Sequence, residues 1–301
     1  MEIRLDGQVA IITGAGQGLG RAHARALAAR GARVIVNDLA GADGISHNAE
    51  AVASEIRAEG GEALANGANV ADLDQVEDMV KQAVDTWGRV DILINNAGIL
   101  RDKSFLKMSM EEFRLVIDVH LIGSANCTKA VWELMREQGY GRIVFTSSSS
   151  GLYGNFGQTN YGAAKMAMVG MMNTLHLEGA KYNIKVNCLA PVAGTAMTDG
   201  LLPEPVFKLL APEYVSQGVV FLASEKAPSR TVLAAGGGSF AVYKGLETEG
   251  INLSPDHIDA DVIAQRWDDI CSEDSMRELQ GGFEQTEKFA RQGAASLGLK
   301  L

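Results

Sequence analysis

Val9-Ala10-Ile11-Ile12-Thr13-Gly14-Ala15-Gly16-Gln17-Gly18-Leu19-Gly20-Arg21 is the stretch that decides the fold. Four apolar residues without polar alternation read as a strand buried on both faces, as in a parallel sheet covered by helices. The glycines that follow permit a tight turn. They also let the backbone approach a pyrophosphate at the N-terminus of the helix that begins near Gly18. Arg33-Val34-Ile35-Val36-Asn37 is the next apolar run, so the glycine turn lies in a strand–turn–helix–strand unit. Asp38 closes that second strand, eighteen residues after Gly20. A carboxylate at this point accepts hydrogen bonds from adenosine ribose hydroxyls and repels a 2′-phosphate. Gln17 stands where a basic residue would help bind that phosphate, so the pattern favours NAD over NADP.

Outward from this unit, short apolar runs alternate with longer amphipathic ones. Strands are expected at 9–12, 33–37, 63–65, 92–94, 142–145, 184–188 and 231–234. Helices are expected at 18–30, 48–59, 72–87, 110–137, 158–181 and 212–224. The alternation predicts an α/β fold: a Rossmann-type, doubly wound, parallel seven-stranded sheet over residues 1–245. Past Gly245 the pattern changes. Ser254-Pro255-Asp256 reads as a helix start, with Ile258, Val262, Ile263, Trp267 and Ile270 at helical spacing after it. Residues 246–301 are therefore expected to be a C-terminal helical extension packed on the same domain.

Composition removes other classes. The 301 residues are 47% hydrophobic and 21% charged, which is globular and not disordered. A net charge of −10 argues against a nucleic-acid partner. No apolar run approaches the roughly 18 residues of a membrane span, and the charged N-terminus shows no signal peptide. Cys127, Cys188 and Cys271 are odd in number and far apart, as expected of reduced thiols in a cytoplasmic protein. Leu299-Lys300-Leu301 matches a Ser-Lys-Leu peroxisomal address at two of three positions, and its first residue is wrong. His23, His47, His176 and His257 are dispersed, and no metal site is expected.

The chemistry is carried by Tyr161-Gly162-Ala163-Ala164-Lys165. The i, i+4 spacing on a helix puts phenol and ammonium on one face. A nearby cation favours the phenolate, so Lys165 is expected to lower the pKa of Tyr161 and make it a general acid–base toward an alcohol or ketone. Thirteen residues upstream lies Ser148, at the end of the fifth strand, whose hydroxyl could bond the reacting oxygen.

These residues, in this order and spacing over about residues 5–240, resemble the classical short-chain dehydrogenase/reductase family. Thr13–Gly20 is similar to its cofactor turn, Asn95-Asn96-Ala97-Gly98 to its strand-four motif, and Ser148, Tyr161 and Lys165 to its catalytic residues. Pro191-Val192-Ala193-Gly194 resembles its Pro-Gly stretch only in part. The resemblance implies cofactor contacts from Gly14, Gln17, Gly18, Leu19, Gly20, Asp38, Asn69, Val70, Asn96, Ala97, Gly98, Tyr161, Lys165, Pro191 and Thr195. It also implies a homodimer or homotetramer.

A narrower resemblance runs through residues 96–105, residues 151–161, Val36-Asn37-Asp38-Leu39, residues 210–215 and the tail around Trp267. These stretches are similar to the (3R)-hydroxyacyl-CoA dehydrogenase domains of peroxisomal multifunctional enzymes of type 2. That implies NAD-dependent oxidation of a (3R)-3-hydroxyacyl-CoA. Where the wider family has Asn in the helix after strand four, this chain has His120, which the narrower group shares. The resemblance makes His120 a variant of the proton relay, acting by side chain or by backbone. Met197, Leu201, Leu202, Val206 and Phe207 are candidates to line an acyl channel or to pack a loop, and Arg101, Lys103 and Lys107 are a basic cluster for coenzyme A phosphates or a solvated turn. Three alternatives stay open at this point: a 3-oxoacyl-carrier-protein reductase, a steroid or secondary-alcohol dehydrogenase, and a non-catalytic dinucleotide sensor.

Overall fold

The computed structural model describes residues 2–194 and 203–299. It divides into two compact units, Met1–Val242 and Tyr243–Leu301. In the first unit strand and helix alternate: β1 (Val9–Ile12), α1 (Gly18–Ala28), β2 (Arg33–Asn37), α2 (His47–Ala58), β3 (Ala63–Asn66), α3 (Leu73–Trp87) and β4 (Ile92–Asn95) form the first half. The second half holds α4 (Met110–Ile117), α5 (Gly123–Gln138), β5 (Gly141–Thr146), α6 (Ser149–Tyr153), α7 (Thr159–Gly179) and β6 (Ile184–Pro191). It continues through α8 (Glu204–Leu209), α9 (Pro212–Leu222), β7 (Val232–Gly236) and β8 (Ser239–Tyr243).

The strands form one sheet in the order β3-β2-β1-β4-β5-β6-β7-β8, and every pairing from β3 through β7 is parallel. β1, β4 and β5 are buried at every residue, as their largely apolar sequences require, and the buried Arg142 of β5 is satisfied by the carbonyls of Gly141, Asn183 and Ser224. β1 pairs with β2 on one side and β4 on the other, so successive crossovers leave it in opposite directions. The crevice at the C-terminal ends of these strands is where ligands bind in such sheets.

Local chemistry sets the helix ends. Ser46 and Asp72 cap α2 and α3 through the backbone N–H groups of Ala49 and Gln75. Ser109 and Glu112 form a reciprocal capping box on α4.

Three expectations need correction. The sheet has eight strands, not seven. Gly237 and Gly238 both hold positive φ, 56° and 77°, which makes a two-residue turn that folds β8 back beside β7. The expected helix over 110–137 is interrupted: residues Asp118–Ile122 form a π-helical turn in which Gly123 N–H reaches back to Asp118 O. Gly123, the residue that ends the turn, packs against Val70, where an added Cβ would lie 2.7 Å from Val70 Cγ2. The helix start expected at Ser254 is a three-residue 3-10 turn, Pro255–His257. The true N-cap is Asp259, whose carboxylate accepts from Asp261 N–H and begins α10 (Ala260–Gln265).

In the second unit, α11 (Trp267–Ile270) and α12 (Gly282–Ser296) follow α10, and Glu247 and Arg277 form an antiparallel bridge. Lys288 on α12 is buried. Its Nζ donates to Glu247 Oε1 at 3.0 Å and Thr248 O at 2.5 Å. Only the lysine is buried, while Glu247 is 31% exposed, so removing Lys288 costs about 1 kcal/mol in lost hydrogen bonds and packing. Lys288→Ala is therefore expected to raise amide exchange across α12 and leave exchange in β1, β4 and β5 unchanged. Unaltered protection in α12 would show that the pair carries no stability.

Candidate active site

The C-terminal ends of β1, β2, β4 and β5 open into a groove with a cavity volume of about 260 Å³. At one end is the glycine turn. Gly14 and Gly18 hold φ of 61° and 54°, a region that disfavours side chains. A Cβ on Gly20 would stand 2.2 Å from Gly14 O and 2.6 Å from Asn96 Nδ2. Asn96 is the brace of this turn: its Nδ2 donates to Thr13 O (2.9 Å) and Gly14 O (3.0 Å), while Thr13 Oγ1 accepts from the N–H groups of Asn96 and Ala97, both at 3.0 Å. No side chain caps α1. Its first N–H groups, beside a cradle that any Cβ would fill, fit a pyrophosphate.

Asp38 lies at the rim. Its Oδ2 accepts from Gly16 N–H at 2.7 Å and its Oδ1 from Leu39 N–H at 2.8 Å, and each oxygen keeps a further lone pair. A Cβ on Gly16 would collide with Asp38 Oδ2 at 2.4 Å, so the turn and the carboxylate are built as one piece. These residues fit the adenosine half of a dinucleotide.

At the other end are Tyr161 and Lys165, on the first turns of α7. Ser148 is buried at the N-cap of α6, where its Oγ accepts from Ser150 N–H at 3.2 Å. Lys165 Nζ is buried, donates to Thr146 O at 2.7 Å and sits 5.5 Å from the centre of the Tyr161 ring. The electrostatics differ from expectation. Tyr161 is raised above the ordinary phenol value, chiefly by burial, with Ser148 pulling it down and Asp102 pushing it up. Lys165 does not lower it, because burial brings Lys165 itself down to about 7. A lysine that is only partly charged at neutral pH is a weak electrostatic lever.

His120 rides on the π-helical turn and is buried. Its ring meets the Tyr161 ring edge-on, with centroids 5.3 Å apart. Nε2 is 2.8 Å from Ile99 O and 3.0 Å from Ile99 N, so either tautomer finds a backbone partner. Nδ1 is buried without one. Burial, and then Lys165, push its pKa down to about 3, so the ring stays neutral over the working pH range. A Cβ on Gly98 would touch it at 2.3 Å, and this explains a glycine at that position.

The groove brings together Gly14, Gln17, Gly18, Leu19, Gly20, Asp38, Asn69, Val70, Asn96, Ala97, Gly98, His120, Tyr161 and Lys165. Pro191, which ends β6, and Ser148, at the N-cap of α6, are outside that lining. Thr195, Met197, Leu201 and Leu202 lie outside the described residues. Sequence reasoning missed Asn37, Leu39, Ala68, Ile99, Val119 and Thr146, which also line the groove. Asn37 and Thr146 could have been found as the last residues of their strands.

Among the described residues no cluster of three or more His, Cys, Asp or Glu could hold a metal ion, and no helix is long and apolar enough to cross a membrane. The short chain dehydrogenase family matches residues 8–204. Over 276 residues the chain is 46% identical to peroxisomal multifunctional enzyme type 2 of Mus musculus, covering 89% of this chain and 37% of that one. It thus spans little more than a third of that relative. The structure of full-length peroxisomal multifunctional enzyme type 2 from Drosophila melanogaster superposes with a TM-score of 0.81 at 35% identity, over 97% of this chain and 51% of that one. A 7α-hydroxysteroid dehydrogenase complexed with NADH and 7-oxo glycochenodeoxycholic acid gives a TM-score of 0.71 at 30% identity, over 78% of this chain and 95% of that one.

Proposed function

This chain belongs to the short chain dehydrogenase family, and from that premise we propose that it interconverts a (3R)-3-hydroxyacyl-CoA and the 3-oxoacyl-CoA with NAD. The observation that carries the reading is that one groove joins a dinucleotide cradle, with Asp38 at its rim, to Tyr161 and Lys165, while Ser148 stands at the N-cap of α6. NAD, when bound, supplies the hydride acceptor.

The chain's own residues do the rest. Ser148 and Tyr161 hold the substrate 3-oxygen between their hydroxyls. In oxidation the Tyr161 phenolate takes the hydroxyl proton; in reduction the phenol returns it. Lys165, anchored on Thr146 O, and the neutral His120 ring keep Tyr161 in place and exclude water from its flank. Lys165, with a pKa near 7, exchanges a proton readily at neutral pH.

The acyl-CoA assignment rests on the motif resemblance and on one feature of the groove's surroundings. The loop after β4 is strapped beside Tyr161, with Lys103 N–H on Gly157 O (2.9 Å) and Asn160 Nδ2 on Arg101 O (3.1 Å). Lys103 is taken up by Glu112 at 2.5 Å. Arg101 and Lys107 are exposed and form no ion pair among the described residues, which places positive charge beside the site of a protein with net charge −10. Such charge suits an anionic substrate.

The test is reduction of NAD and of NADP with both enantiomers of 3-hydroxyacyl-CoA at several chain lengths, with a hydroxysteroid control. Activity on the (3R) thioesters is expected; activity on the steroid alone would overturn the substrate assignment. NAD is expected to exceed NADP by about 10²-fold in kcat/KM, equivalent to about 2.7 kcal/mol of repulsion and lost ribose bonding at Asp38. Asp38→Ser should narrow that ratio by at least about tenfold. An unchanged ratio would mean that another residue selects the cofactor.

A further inference from the structure

Gln158 is the N-cap residue of α7, yet its side chain does not cap the helix. It is committed elsewhere. Its Nε2 donates to Asp102 Oδ2 at 2.7 Å, across to the loop after β4. Its Oε1 accepts from Ser150 Oγ at 2.7 Å and from Asn155 Nδ2 at 3.0 Å. Ser150 N–H in turn donates to Ser148 Oγ at 3.2 Å. We propose that Asp102 and Gln158 are positioning residues for Ser148, acting through this set of bonds, which begins at an exposed carboxylate, passes through Ser150 and ends at the Ser148 hydroxyl. The proposal rests on Tyr161 as the proton-transfer group, and it adds what sets that group's geometry and charge state.

The direction of the chain follows from donor and acceptor chemistry. A carboxylate only accepts, so Asp102 fixes which way the Gln158 amide faces. A flipped amide would set Oε1 against the carboxylate and Nε2 against the Asn155 amide donor. With Oε1 fixed inward, the Ser150 hydroxyl must donate to it. The Ser150 backbone N–H then occupies one acceptor position on Ser148 Oγ. The Ser148 hydroxyl proton is left to donate toward Tyr161, which stabilises the phenolate.

The charge of Asp102 acts on the same phenol in the opposite sense, since a nearby anion disfavours a second one. The other titratable groups facing Tyr161 are Lys165 from α7 and His120 from the π-helical turn. Cys188 on β6 interacts with Lys165. Around Asp102 stand Arg101 and Lys103, the latter held by Glu112 of α4.

The two positioning residues therefore pull Tyr161 in opposite directions, and this separates them from merely structural parts. Asp102→Asn keeps an acceptor for Gln158 and removes the charge. Gln158→Leu keeps the charge and cuts the chain. The measurement is the pH titration of the Tyr161 13Cζ resonance, assigned by its loss in Tyr161→Phe and followed through the range in which the circular dichroism is constant. It needs no substrate, so it reads independently of the acyl-CoA assignment. In Asp102→Asn the onset of titration is expected to move to lower pH by roughly half a unit. That shift should shrink at high salt, because Asp102 is exposed. In Gln158→Leu the onset is expected to move to higher pH with little dependence on salt. Once a substrate is in hand, Gln158→Leu should lose about tenfold in kcat with dinucleotide affinity unchanged. An onset that stays in place in either variant, or moves the same way in both, overturns the proposal.

Discussion

Tyr161→Phe is expected to lower turnover by about 10³-fold or more while dinucleotide affinity stays within a few-fold of the parent. The substitution removes one oxygen and little else. The ring keeps its edge-on contact with His120 and its place under Lys165 Nζ, so the groove wall is preserved. What disappears is the hydroxyl proposed to carry the proton. No neighbour replaces it. His120 is neutral down to about pH 3, and Lys165 points its Nζ at Thr146 O. Steady-state assay and fluorescence titration of the dinucleotide check the two halves. Turnover within tenfold of the parent would remove Tyr161 from the proton-transfer step. Because burial raises the phenol, oxidation, which needs the phenolate, should accelerate steadily with pH through the neutral and alkaline range, whereas reduction uses the phenol already present.

Steep acid destabilisation is the second large effect. His23 on α1 is fully buried; Nδ1 is 2.8 Å from Ser216 Oγ, and Nε2 has no partner. Burial pushes His23 down to about 3, and His120 lies near the same value. Both histidines are near 6.5 in the unfolded chain. Below pH 6.5 the unfolded state therefore binds protons that the folded state refuses, and stability falls as pH falls, until the folded value near 3 is reached. Each histidine contributes a slope of about 1.4 kcal/mol per pH unit, or about 5 kcal/mol for the pair between pH 6.5 and 4.5. That loss is comparable to the whole stability of many domains. Lys165 acts in the same sense at higher pH: lowered from 10.5 to about 7, it costs stability as pH falls through that window and adds no slope well below 7. The carboxylates whose values are clearly lowered, such as Asp6, Asp43 and Glu50, are largely exposed and contribute little. Urea midpoints measured from pH 7.5 to 4.5 should drop steeply in the parent and much less in a His23→Asn, His120→Asn double variant. Equal slopes in both would assign the acid transition to carboxylates instead.

How much of this was legible in the sequence depends on distance along the chain. The glycine turn, Asp38 and the Tyr161/Lys165 pair are local patterns, each written within a few residues, and the groove assembles them where the alternation of strands and helices implied. β8 escaped notice because all but the last of its residues are exposed, so no buried face marks it; the paired glycines before it were the available signal. The π-helical turn escaped because it is a change of backbone hydrogen-bond register, which no residue type marks. The Asp102–Gln158 bond joins positions 56 residues apart, and no spacing rule reports it.

The sequence by itself determined the family, the doubly wound sheet and which groups are proposed to hold a dinucleotide and move a proton. Those follow from backbone requirements: glycine where a Cβ would collide, apolar runs where strands are buried, and fixed spacing on one helix face. Only the tertiary structure decided the charge states. Tyr161 is raised and not lowered, Lys165 stands near 7, and His120 is a neutral packing partner before it is anything else. The physical reason is that ionisation answers to desolvation and to charges gathered from α7, the π-helical turn and the loop after β4. That environment exists only once those elements have closed around one another.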